Sequence, residues 1–332
     1  MTAKKIIIVL SMHRTGTIPL AYALSTIGVE LGDALQSMGM DETASFWEDS
    51  GVIAVNNKLL NQLGSAYGRD RVLDVALNDN AVIDEVYQEA KALIADKAPD
   101  IQVWGMKDPL MLQLLPFWQK LLKELKFDIS YVIVLHSPLI PANSDRNQFA
   151  SLKPCLLWLE HMLQAVAYTT SENRLIVGYD NWLKNPPQEL LRMSLVLDLP
   201  APTEDEISKY INEFPEPGLR HAQHLENEQL NSQIEPKILA DFYALLNECA
   251  LDKTSINSEF FEECLEPMLS ALRGLLPPLG PAIFENTGRA LIQNVLKLNM
   301  ALHPSNEYLQ TASKVLTHSN LKNTSLKRRS KR

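Results

Sequence analysis

The chain reads as an α/β protein, a parallel sheet flanked by helices, with a helical C-terminal extension. Three observations lead there. Four short apolar runs, rich in β-branched residues, are spaced along the chain before residue 180. Stretches with a helical repeat of apolar positions separate them. Residues able to do chemistry follow the ends of these runs, which is where an open parallel sheet binds its ligands.

The first run is Lys5-Ile6-Ile7-Ile8-Val9-Leu10, apolar after its first residue. Such a run predicts a strand buried on both faces, as parallel sheets require. A helix is expected to start at Thr17 and continue through Leu20, Leu24 and Ile27. Helical periodicity then marks Val52 to Leu63 and Ala81 to Ala95. Ile101-Gln102-Val103-Trp104-Gly105 predicts a short strand that runs up to Lys107. A helix over Leu110 to Leu125, a strand over Ile129 to Leu135, a helix over Cys155 to Tyr168 and a strand over Arg174 to Tyr179 follow. Beyond about residue 200 the strand signal stops, and helices are predicted over Glu204–Ile211, Glu235–Leu246, Glu259–Leu275, Glu285–Leu302 and Asn306–Leu316. Pro277-Pro278-Leu279-Gly280-Pro281 breaks two of these apart. The stripe Leu265, Met268, Leu269, Leu272 and Leu275 reads as a core face, with a homodimer contact as the alternative.

Composition narrows the function classes. The length of 332 residues suits one large α/β domain with an appendage, or two domains. A formal net charge of −9 argues against nucleic acid as a partner. Cys155, Cys249 and Cys264 have no metal-ligand spacing and read as free thiols of a reducing compartment. The apolar run ending at Leu10 is too short for a signal peptide, and no run reaches transmembrane length. A soluble, cytoplasmic protein is expected. Residues 319–332 are basic and aperiodic, which predicts a solvated, disordered tail.

The chemistry concentrates first in Ser11-Met12-His13-Arg14-Thr15-Gly16-Thr17. A strand, a short loop and a helix start aim free backbone N–H groups at one point, as phosphate sites do. Arg14 adds charge and Gly16 lets the backbone close around an anion. This is not a Walker A loop, because the cation precedes the glycine and Thr17 stands where the lysine would be. That absence disfavours a nucleotide kinase. The plain alternative is an ordinary strand–loop–helix junction.

The order cation, Ser/Thr, Gly, Ser/Thr resembles the 5′-phosphosulfate loop of sulfotransferases that use 3′-phosphoadenosine-5′-phosphosulfate (PAPS). Four later segments match the same family in order: Phe46-Trp47-Glu48-Asp49; Trp104-Gly105-Met106-Lys107-Asp108-Pro109; Val134-Leu135-His136-Ser137-Pro138, with Ser144 eight residues after His136; and Val177-Gly178-Tyr179-Asp180-Asn181-Trp182-Leu183. Over roughly residues 5 to 225 the chain looks like the bacterial sulfotransferase-family proteins related to protein-tyrosine and carbohydrate sulfotransferases. The resemblance implies a P-loop-like sulfotransferase fold with a PAPS-binding domain over 1–225 and a helical region over 226–318 packed on it. It implies PAPS as co-substrate, no metal, and a carbohydrate or other small-molecule hydroxyl as acceptor.

By the same resemblance, Arg14, Thr15, Gly16 and Thr17 hold the 5′-phosphate, and Lys107 stands near the leaving oxygen. The acceptor proton needs a base, and Glu48 resembles the family glutamate, with His13 as runner-up. Glu48 is equally legible as a carboxylate at the start of the next helix, where negative charge is favourable. Asp108 reads as the cap of a helix starting near Pro109. His136 is a departure, because the family has an arginine there that grips the 3′-phosphate together with the serine matched by Ser144. A neutral imidazole cannot make that fork, so Arg146 or Arg220 is a candidate replacement, and His136 is equally legible as a strand-end residue without a ligand. This departure keeps open a second function class, a sulfotransferase-fold binding or scaffold protein with weakened catalysis.

Overall fold

The computed structural model describes residues 4–12, 17–31, 34–37, 45–63, 81–98, 101–138, 152–213 and 237–275. In chain order these form β1 (Lys5–Leu10), α1 (Thr17–Thr26), β2 (Ala34–Ser37), β3 (Ser45–Glu48), α2 (Ser50–Leu63), α3 (Ala81–Lys97), β4 (Val103–Lys107) and α4 (Leu115–Glu124). Then come β5 (Asp128–Leu135), α5 (Leu152–Tyr168), β6 (Asn173–Gly178), α6 (Tyr179–Lys184), α7 (Pro186–Val196), α8 (Glu204–Glu213), α9 (Lys237–Ala250) and α10 (Glu259–Leu275).

β1 occupies the interior of a four-stranded sheet of order β4-β1-β5-β6, and every adjacent pair is parallel. Each residue of β1 is buried, because successive side chains point to opposite faces and both faces are covered by helices. Ile6, Ile8 and Leu10 join a core with α2 to α5, α9 and α10. Ile7 and Val9 join a second core with α1, α6, α7 and α8. Each such side chain contributes roughly 1.5–3 kcal/mol when removed from water, so the two longest apolar strand runs, Ile6–Leu10 and Tyr131–Leu135, take the interior positions. The result is a three-layer α/β/α arrangement.

The boundaries differ from the sequence reading in instructive places. β4 runs to Lys107 as expected but starts at Val103, two residues later than the sequence reading. Gly105 is needed for close approach: a Cβ there would lie 2.8 Å from Val29 Cγ1. The chain at Glu30 bridges to Trp104, and the Gly105 N–H donates to the Glu30 carbonyl at 2.8 Å. Gly28, at φ +84°, ends α1 and returns the chain to that edge. Tyr179 opens α6 instead of ending β6. The antiparallel β2–β3 hairpin and the helices α6 and α7 had no separate place in the sequence reading. The segments 285–302 and 306–316, the boundary near 225 and the basic tail lie outside the described residues.

Candidate active site

From β1 the chain passes to β4 on one side, then crosses to β5 on the other. That reversal makes the carboxyl end of β1 a topological switch point, where open α/β sheets bind ligands. Lys107, the last residue of β4, pairs with Val9 on one flank. His136 follows β5 on the other flank, three residues beyond the partner of Leu10. β1 ends at Leu10 at this point, and α1 begins at Thr17. His13, Arg14, Thr15 and Gly16 themselves lie outside the described residues, as do Ser144, Arg146 and Arg220.

Lys107 and Glu48 meet. The hairpin places Glu48 at the end of β3, opposite Ala34, and its Oε1 accepts a hydrogen bond from Lys107 Nζ at 2.6 Å. The two side chains are only 5% and 13% exposed, so the pair is largely desolvated. A buried ammonium requires such a counter-charge, because an unpaired ion in a low-dielectric interior is strongly unfavourable.

Glu48 does not cap α2. That role belongs to Asp49, whose Oδ1 accepts the N–H groups of Gly51 at 2.9 Å and Val52 at 3.0 Å. Its other oxygen is bound by Lys97 from α3. Two adjacent carboxylates thus face separate lysines, one at a helix start and one at the sheet edge.

Asp108 extends the polar group at the end of β4. Its Oδ1 accepts the Leu110 N–H at 2.6 Å and its carbonyl accepts the Met111 N–H at 2.9 Å. It therefore organises the turn over residues 109–114, and the helix proper starts later, at Leu115. Asp108 is 4% exposed, and burial pushes its pKa above the usual carboxylate value. The Glu48 charge pushes the same way, while the Leu110 N–H, the nearby Asn56 amide and the Lys107 charge oppose it.

Asn56, fully buried on α2, accepts a hydrogen bond from Trp118 Nε1 at 2.8 Å. Its importance was not read from the sequence. The available signal was a polar residue set among Val52, Val55 and Leu59 on the buried helix face.

His136 is 5% exposed. Its carbonyl accepts a hydrogen bond from Trp158 Nε1 at 3.0 Å, and its ring packs on Tyr179 with centroids 4.5 Å apart. Burial pushes the Tyr179 phenol up to about 12, so this tyrosine stays protonated at neutral pH.

Among the described residues, no group of three or more His, Cys, Asp or Glu is arranged to hold a metal ion, and no helix is long and apolar enough to cross a membrane. The chain matches no known family model and no curated protein.

Proposed function

We propose that this protein is a PAPS-dependent sulfotransferase that moves a sulfuryl group to a hydroxyl of a carbohydrate or another small acceptor. The observation that carries this reading is the buried Lys107–Glu48 pair at the carboxyl edge of the sheet, beside the end of β1. In the transfer, the acceptor oxygen forms a bond to sulfur as the bond from sulfur to the 5′-phosphate oxygen breaks. The electron pair leaves on that phosphate oxygen, and the acceptor proton passes to Glu48. Lys107 counters the charge that grows on the leaving oxygen, an effect stronger in the transition state than in the ground state. Arg14 and the N-terminus of α1 serve the 5′-phosphate. Fixed cations and backbone dipoles carry the charge, so the reading needs no metal.

The test is calorimetric titration with the desulfated product, 3′-phosphoadenosine-5′-phosphate (PAP), followed by an acceptor screen with labelled PAPS. Lys107→Ala and Glu48→Gln are expected to lower turnover by about a hundredfold or more while PAP binding survives. Full turnover in a folded Glu48→Gln variant would move the base elsewhere, to His13 first.

A second reading, a binding or scaffold protein on the same fold, draws on His136. Where the resembling family has an arginine, this chain has a buried imidazole packed at a tilt against Tyr179. PAP binding without any PAPS turnover would favour it.

A further inference from the structure

Lys107 ends β4, where its backbone is fixed by the register with Val9 of β1. Its ammonium donates to Glu48 Oε1 at 2.6 Å, and with that partner in place its side chain is 5% exposed. A docking anion therefore finds Lys107 already covered. We propose that Glu48 is a built-in competitor for the anion site: it occupies Lys107 in the resting protein, and a phosphate or sulfate group reaches the ammonium only by displacing it. This rests on the reading of the edge as an anion site and adds an order of events. Lys107 is countered by one negative group before and after the exchange. The Glu48 carboxylate is turned loose for the acceptor hydroxyl only once the nucleotide has docked.

The surroundings make Glu48 the movable half of the pair. β3 belongs to a separate two-stranded hairpin, outside the four-stranded sheet that holds Lys107. Glu48 is also the more open of the two side chains, at 13% against 5%. The carboxylates that follow them in the chain are committed elsewhere. Asp49 caps α2 and is bound by Lys97, and Asp108 Oδ1 accepts the Leu110 N–H at 2.6 Å. Asp49 thus pins the backbone one residue beyond Glu48, so the exchange is a swing of the Glu48 side chain rather than a departure of the strand. A carboxylate released there without a partner is unfavourable. The acceptor hydroxyl supplies one, so nucleotide and acceptor are expected to favour each other's binding.

The experiment is isothermal titration of the full chain with PAP and with sulfate, in wild type, Glu48→Gln and Glu48→Asp. Glu48→Gln removes the competing charge and should tighten both anions about fivefold or more. Glu48→Asp keeps the charge but shortens the reach by one methylene, and should tighten them in the same direction by less. It also serves if Glu48→Gln fails to fold. Tightening in Glu48→Gln with wild-type affinity in Glu48→Asp would make Glu48 a source of general repulsion and overturn this inference. PAP binding of unchanged or weaker affinity in both variants overturns it too and leaves the proposed function standing. No binding of either anion to any of these proteins overturns both.

Discussion

Buried cations stand at opposite edges of the same sheet, and they are held in different ways. At the amino edge, Arg174 is 3% exposed and donates to the carbonyls of Val166 (2.6 Å) and Ile256 (2.8 Å) and to Asn257 Oδ1 (2.7 Å). Phe261 packs on its guanidinium at 5.9 Å. Lys5, at the same edge, donates to the Leu197 carbonyl at 2.7 Å and also pairs, at the longer distance of 3.3 Å, with the more exposed Asp128 carboxylate. At the carboxyl edge, Lys107 is held by a carboxylate on the hairpin. Backbone carbonyls cannot leave without moving secondary structure, whereas a carboxylate can trade its partner for a ligand. The first arrangement ties α5, β6 and the α9–α10 connection together, and the second suits a site. Burial draws the Arg174 pKa down to about 10, still charged at neutral pH, so its bonds persist across ordinary conditions.

The largest expected effect lies at the amino edge. Arg174→Met strands two buried carbonyls and the Asn257 amide oxygen, and should lower stability by on the order of 4 kcal/mol in urea unfolding. Lys107→Met comes next, at about 3 kcal/mol, because it leaves Glu48 buried without its partner. Adding Glu48→Gln should restore most of that loss, since a neutral pair removes the stranded charge. If the double variant is no more stable than the single one, Lys107 is as structural as Arg174 and the contrast between the edges fails.

A smaller effect comes from pH. Asp108 holds its proton to higher pH in the folded chain than in the unfolded one. Between the two pKa values the native state binds more protons, so stability from this group is full below the unfolded value and is lost as pH rises through the folded one. Asp108→Asn removes that dependence. Urea midpoints at about pH 4 and about pH 7 should show the variant gaining on wild type as pH rises; an unchanged difference would mean that Asp108 titrates normally.

The subtlest test uses Cys249, buried beside Arg174, whose thiol burial pushes up to about 11. It should resist thiol reagents at neutral pH while Cys264, which is partly exposed, reacts. Labelling of Cys249 should quicken in Arg174→Met and stay slow in Lys107→Met.

The four parallel strands were legible because apolar, β-branched residues have few other places to go in a covered sheet. What the sequence reading did not assign is the role of Gly105, which admits the chain at Val29 and Glu30 against β4. The hairpin was illegible because Ala34–Ser37 and Ser45–Glu48 are four residues each and lack an uninterrupted apolar run. Yet the hairpin decides what Glu48 does. A sequence can nominate Glu48 and Lys107 by resemblance, but only the register Ala34↔Glu48 and Val9↔Lys107 brings them to one edge. Asp108 read as a helix cap because Asp-Pro is a common helix start, and its burial is a tertiary fact no local pattern carries.

The central claim is that the carboxyl edge of this sheet holds a 3′,5′-phosphorylated adenosine through the loop after β1. Calorimetric titration of PAP into wild type and into a folded Arg14→Ala variant tests it most directly. The account predicts measurable binding to wild type, weakened more than tenfold in the variant, corresponding to the loss of on the order of 1.5–3 kcal/mol for a charge-assisted phosphate contact. Absence of PAP binding to wild type, or equal affinity in the two proteins, would contradict it.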